Sequence, residues 1–198
     1  MKKLLLLLLF FISLPLNAQK ALKGEVDHQL VNFYPHKLEY KNFSLPTSVE
    51  GKVINLREFT KDKKLVLVTY FAAWCDNSNH DIETIKELLQ KYEKKGLAVV
   101  GVCNYSDAKE VKEFITQHQP LYPICIESND GKEREQTTHY IYRKQCDDKR
   151  KWGTPFSLLI EAKNIKAEGE IFATEVQSAA GEMDRKEAEK LIKRLLKN

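Results

Sequence analysis

The chain has 198 residues, 42% hydrophobic and 30% charged, with a formal net charge of +4. That length suits a single domain with a sizeable core. Its lysines and glutamates are interspersed, so the small positive excess is no nucleic-acid signature, and neither the four cysteines nor the five scattered histidines fall at zinc-ligand spacing.

Met1-Lys2-Lys3 forms a positive start, Leu4 to Ile12 a short apolar run, and Pro15 to Ala18 a processing site. The run is shorter than the roughly 20 residues that span a bilayer. Residues 1–18 therefore read as a signal peptide, cleaved on export, with an uncleaved anchor as the alternative. The absence of a nearby cysteine excludes a lipoprotein anchor. Cleavage lowers the net charge from +4 to +2 and leaves no stable membrane insertion. An exported chain, periplasmic or extracellular, meets an oxidising compartment where disulfides persist. Cys75, Cys103, Cys125 and Cys146 allow three complete pairings, among which the sequence does not choose.

Residues 19–37 form a polar N-terminal extension, and the domain proper is expected over 38–198. LEYKNFSLP (38–46) alternates and stops at Pro46. GKVINLREF (51–59) follows, and the two read as a strand pair. KLVLVTYFAAW (64–74) is a near-continuous β-rich apolar run, as expected for a central strand buried on both faces. A helix follows, with Ile82, Ile85, Leu88, Leu89 and Tyr92 on one stripe and Gly96 at its end. LAVVGVCNY (97–105) is a second buried strand. A helix from about Asp107 turns Val111, Phe114 and Ile115 inward. YPICIES (122–128) is a third strand, closed by Asn129-Asp130-Gly131. KEREQTTHYIYRKQ (132–145) has some helical character, weakened by its threonines and its Tyr140-Ile141-Tyr142 run. FSLLIEAKNIKAEGEIFA (156–173) gives two strands around a short polar turn. The closing helix presents Ala188, Leu191, Ile192, Leu195 and Leu196 on one face. The expectation is an α/β sandwich with a mixed sheet.

The order strand, Trp74-Cys75, helix, strand, helix, strand, Gly153-Thr154-Pro155 and hairpin resembles the thioredoxin fold. It is similar to the exported TlpA/ResA-like thiol–disulfide oxidoreductases, whose opening phrase is matched by FSLPTSVEGKVINLREF (43–59). The resemblance covers roughly residues 38–197. It implies that Cys75 is the attacking cysteine and that Thr154-Pro155 is the loop with a cis-proline that faces it and grips extended substrate. It also implies that Asp81 takes the place of a frequent acidic residue. Substrates would be protein thiols or disulfides, and no cofactor is required. The departure is Ser78, which stands where the family has a second cysteine and cannot form the internal disulfide. Asn77 replaces a frequent proline.

Each candidate residue has a plainer alternative. Cys75 at a helix start would meet unpaired N–H groups and the positive end of the dipole, which favour thiolate; otherwise it is a relic on a retained scaffold. Ser78 is either a degenerate resolving position that hydrogen-bonds the thiolate, or the N-cap of a helix starting near Asn79, since Ser78-Asn79-His80-Asp81 fits a capping box. Cys103 and Cys125 read as inert core thiols. Cys146, in the charged stretch QCDDKRKW, is the most credible remote resolving partner. Trp74 and Trp152 would shield the thiol, or simply pack. Two function classes remain: an oxidoreductase working through a single motif cysteine, and a non-catalytic thioredoxin-like module that binds peptides beside Pro155. A peroxidase is disfavoured, because peroxiredoxins place threonine three residues before their cysteine and this chain has Ala72.

Overall fold

A computed structural model describes residues 29–197. The expected signal peptide and residues 19–28 of the extension lie outside them. Within the described residues, β4 (Leu65–Phe71) and β5 (Leu97–Cys103) are buried at every position. They run parallel at the centre of a six-stranded mixed sheet ordered β1-β8-β7-β4-β5-β6. β6 (Ile124–Ile126) continues the parallel half. β7 (Phe156–Glu161), β8 (Ile171–Ala179) and β1 (Tyr34–Lys41) extend the other side antiparallel. The α/β fold with a mixed sheet between helices is thus as the sequence predicts.

The stretch LEYKNFSLP does not form one strand. Its first part belongs to β1 and pairs with β8. Its end is β2 (Ser44–Pro46), which forms a separate hairpin with β3 (Val53–Asn55). The break is at Asn42-Phe43, where the Asn42 side chain accepts from Arg57 N and the Phe43 carbonyl from Leu56 N. A period of two reports which face is buried, not which sheet a strand joins. β1 also begins at Tyr34, and Val31 already bridges to Met183, so the folded domain takes in residues assigned to the extension. Beyond β2, Thr47 bridges to Cys125 and partly covers the exposed edge of β6.

Helices α2 (Asp76–Tyr92), α3 (Ala108–His118) and α5 (Arg185–Leu195) cover one face. Their apolar stripes meet Leu67, Phe71 and Val99 in one core cluster containing Ile82, Ile85, Phe114 and Ile192. α1 (Leu56–Phe59) and α4 (Thr138–Gln145) lie on the opposite face, over Val66, Val68, Leu158 and Phe172. Asp107 and Asp184 cap their helices through side-chain oxygens. No helix among the described residues is long and apolar enough to cross a membrane.

Register decides where the functional residues gather. Phe71 pairs with Cys103, and Tyr70 with Phe156. The segments leaving β4 and β5 and the segment entering β7 therefore meet at one sheet edge. These are Ala72–Cys75, Asn104–Ser106 and Gly153–Pro155.

Candidate active site

Cys75 is the N-cap residue of α2, with extended backbone (φ −89°, ψ 117°). Two backbone bonds hold it there, from Cys75 N to Ala72 O and from Asn79 N to Cys75 O. The helix starts at Asp76, so the thiol stands before the unpaired N–H groups of its first turn. Ser78 is therefore not the N-cap. It lies within the first turn, 3% exposed, and its hydroxyl has no partner among the described residues. The loop after β5 sets this start. Ser106 Oγ accepts from Ala73 N, and Tyr105 O accepts from Trp74 Nε1, both at 2.8 Å. Tyr105 takes a left-handed φ of 60° to do so.

The second wall is Gly153-Thr154-Pro155. The Thr154–Pro155 peptide is cis, and the Cys75 thiol donates to Thr154 O at 3.6 Å. A carboxylate–guanidinium cluster holds this loop. Asp148, with 2% of its side chain exposed, meets Arg143 (1%) at 3.5 Å and Arg150 at 2.8 Å. Burial opposes ionisation of Asp148. Hydrogen bonds from the Arg150 guanidinium and amide, with the charges of Arg150 and Arg143, outweigh it and hold the carboxyl below its usual range. Arg143 in turn donates to the carbonyls of Arg150 and Lys151. Arg150 donates to the carbonyls of Gly153, Thr154 and Pro155 at 2.8, 3.4 and 3.0 Å. Gly153 has φ +72°, and a Cβ there would lie 2.5–2.7 Å from the Arg143 side chain, so only glycine fits.

Between the walls lies an aromatic cluster. Trp74, 39% exposed, meets Trp152 edge to face at 5.4 Å, and Tyr105 backs Trp152 at 5.6 Å. His139 is fully buried behind them. Burial first, then the charge of Arg143, lowers its pKa to about 3, so the ring is neutral. Nε2 faces the Gly153 carbonyl at 3.3 Å and must carry the hydrogen; Nδ1 then accepts from Tyr105 Oη at 2.8 Å. The polar groups of α4 thus brace the cis-proline loop from behind.

Below Cys75, Asp81 is 1% exposed on α2. Burial raises its pKa to about 8; the nearby Glu182 adds to this and the bond from Met183 N opposes it. Its Oδ2 has no partner among the described residues. His80, by contrast, is exposed and faces Glu182 at 3.5 Å.

Of the other cysteines, Cys103 lies directly behind this site, its thiol hydrogen-bonded to Ser106 and the Ala73 backbone, whereas Cys125 and Cys146 pack on the opposite face of the sheet. Cys103 and Cys125 are fully buried, and burial pushes both thiols up to about 12. Cys146 caps the C-terminus of α4 and packs on the core behind β7 and β8. Burial raises its pKa, and a hydrogen bond with Ser178 partly offsets this. Ser178 pairs with Leu158, four residues along from Thr154. At about 3.3 Å per residue this puts Ser178 roughly 13 Å from Thr154 along the strands. Cys146 and Cys75 are both free thiols, each with its own hydrogen-bond partner, Ser178 and Thr154 O.

Sequence reasoning locates Trp74, Cys75, Thr154 and Pro155 at one place. It misses Tyr105, Ser106, His139, Arg143, Asp148 and Arg150. Asn104-Tyr105-Ser106 has the form of a glycosylation sequon, but Asn104 is fully buried. The one available signal is the pair Asp148 and Arg150 just ahead of Gly153-Thr154-Pro155; among so many surface charges it is indistinguishable from a solvated stretch.

Known proteins share this fold. The profile of the AhpC/TSA family matches residues 37–164. Thiol-disulfide oxidoreductase ResA of Bacillus thuringiensis subsp. konkukian is 29% identical over 89 residues, 45% of this chain and 50% of the relative. The chain thus spans about half the length of the curated relatives it matches. Two solved structures share the fold. A thioredoxin-family thiol:disulfide interchange protein from Chlorobium tepidum has a TM-score of 0.55 at 20% identity, over 81% of this chain and 97% of that one. A secreted thiol-disulfide isomerase from Corynebacterium glutamicum has a TM-score of 0.57 at 14% identity, over 88% and 96%. With the profile covering well over half of its length and the thioredoxin-like architecture around Cys75, this chain belongs to the AhpC/TSA family.

Proposed function

We propose that the protein is an exported thiol–disulfide oxidoreductase that works through one cysteine. The Cys75 thiolate attacks one sulfur of a protein disulfide. The disulfide bond breaks, a mixed disulfide with Cys75 forms, and the other sulfur leaves as thiolate. An external thiol then attacks the mixed disulfide and regenerates Cys75. The observation that carries the reading is the placement of the Cys75 thiol at the start of α2, 3.6 Å from Thr154 O beside Pro155. The names of the relatives support the same chemistry, and residues 1–18 support export.

Ser78 leaves no partner for an internal bridge, and Cys146 is held at Ser178. Release therefore falls first to an external thiol and only second to Cys146. The test is disulfide exchange with a reduced protein thiol as donor. Cys75→Ser should abolish it, and Cys146→Ser should leave turnover intact. Trapped mixed disulfide in Cys146→Ser would instead make Cys146 the resolving thiol.

The second reading is a non-catalytic module that binds extended peptides beside Pro155. The vacated second-cysteine position favours it. Wild-type protein that binds peptide but exchanges no disulfide, and that Cys75→Ser leaves unchanged, would establish this reading.

A further inference from the structure

Arg150 does more than brace the loop. All three carbonyls of Gly153-Thr154-Pro155 accept from its guanidinium, and Thr154 O also accepts from Cys75. Gly153 O and Thr154 O thus each have two donors, Arg150 with His139 and Arg150 with Cys75, while Pro155 O has one. A donor also remains open. Nε is taken by Asp148 Oδ1, and Nη2 is shared among Asp148 Oδ2 and the carbonyls of Gly153 and Pro155. Nη1 has a single long bond, to Thr154 O at 3.4 Å. A guanidinium Nη carries two hydrogens, so one has no acceptor among the described residues. About a third of the side chain is exposed.

That hydrogen lies close to the chemistry. Nη1 and Cys75 Sγ contact the same oxygen at 3.4 and 3.6 Å, so they are at most about 7 Å apart. A carboxylate two or three bonds from a reacting sulfur spans that gap. The surrounding charge has the same sign. Residues 143–151 hold Arg143, Lys144, Lys149, Arg150 and Lys151 against Asp147 and Asp148. Asp76, exposed in the first turn of α2, is the opposing charge on the other side of Cys75.

We propose that Arg150 is a specificity-determining residue that directs Cys75 toward disulfides carrying a carboxylate beside the reacting sulfur. The inference rests on the exchange chemistry proposed above. In the step, Cys75 thiolate attacks the sulfur bearing the carboxylate-containing group while that carboxylate pairs with Nη1. The S–S bond breaks, the Cys75 sulfur is oxidised into the mixed disulfide, and the departing half is reduced to a thiolate. Small acid disulfides and peptides with an acidic neighbour share this chemistry.

The test uses the whole folded protein and three small disulfides of different charge. These are dithiodiglycolate (anionic), bis(2-hydroxyethyl) disulfide (neutral) and cystamine (cationic). Adduct formation on Cys75 is followed by mass spectrometry, and each rate is divided by the neutral rate of the same variant, which cancels any general loss of loop positioning. The expected anionic-to-neutral ratio falls about tenfold from wild type to Arg150→Gln, with Arg150→Lys in between. In wild type the ratio should also shrink as salt is raised, and the cationic ratio should move oppositely. Peptide disulfides with glutamate or glutamine beside the cysteine then show whether peptides share the preference. An equal ratio in wild type and Arg150→Gln overturns the proposal. So does a wild-type ratio indifferent to salt, even if the variants fold poorly. Failure of all three reagents to modify Cys75 defeats the exchange chemistry itself, a distinct outcome.

Discussion

The two walls around Cys75 handle a buried carboxyl in opposite ways, although each also holds polar atoms without a partner among the described residues, Thr154 Oγ1 and Arg143 Nε on the loop side among them. On the α2 side, Ser78 Oγ and Asp81 Oδ2 are buried with no partner among the described residues. On the loop side, Asp148 is matched by two arginines, and both nitrogens of His139 are bonded. A buried carboxyl without a counter-charge, as Asp81 is, resists ionisation and titrates far from its usual range. A buried carboxyl matched by guanidinium charge, as Asp148 is, stays ionised and fixes a shape. The α2 wall is thus the tunable one, and the loop wall is the rigid one.

The largest expected effect breaks or upholds the first half of that contrast. Asp81 titrates at about 8 in the folded protein against an ordinary 3.8. Between those values the native state binds more protons than the unfolded chain, so this carboxyl lowers stability progressively as pH rises from about 4 through 8. Asp81→Asn removes that loss and should stabilise the protein at pH 9 on the order of 5 kcal/mol. Urea unfolding at pH 4 and 9 measures it. An equal difference at both values would mean that Asp81 is not held neutral by burial.

His139 supplies the opposite slope. Its folded value of about 3 lies below its ordinary 6.5, so the native state binds fewer protons. The stability it contributes is present above pH 6.5 and is lost as pH falls toward 3. Its ring should remain neutral at pH 5 by NMR titration; protonation there would show the loop wall to be open to water.

Asp148→Asn sharpens the second half. It leaves Arg143, with 1% of its side chain exposed, without its buried counter-charge. Stripping a partner from a buried pair costs about 3–5 kcal/mol, readable as a fall in the urea midpoint at pH 7. The smallest effect belongs to Ser78→Ala. Its hydroxyl has no partner to lose, so stability should change by less than about 1 kcal/mol and toward stabilisation. A loss of several kcal/mol would reveal a bond on the α2 wall and erode the contrast.

Much of the molecule is legible without coordinates because its signals are local and apolar. The buried strands KLVLVTYFAAW and LAVVGVCNY, the stripe of α2, and the order of elements around Trp74-Cys75 and Thr154-Pro155 all follow from periodicity and motif. The division of LEYKNFSLP between two sheets does not, since alternation is the same whichever neighbour a strand finds. α4 was only half visible because the residues it buries are His139, Tyr142 and Arg143, which carry no apolar stripe. Ser78-Asn79-His80-Asp81 fits a helix start by local rule. The helix instead begins at Asp76, because Ser106 and Tyr105, some thirty residues away, bind Ala73 N and Trp74 Nε1. The clamp of Arg143, Asp148 and Arg150 on the cis-proline loop was decided the same way. Within the sequence these are charges in a charged stretch, and only burial against the sheet, where each must find a partner, turns them into structure.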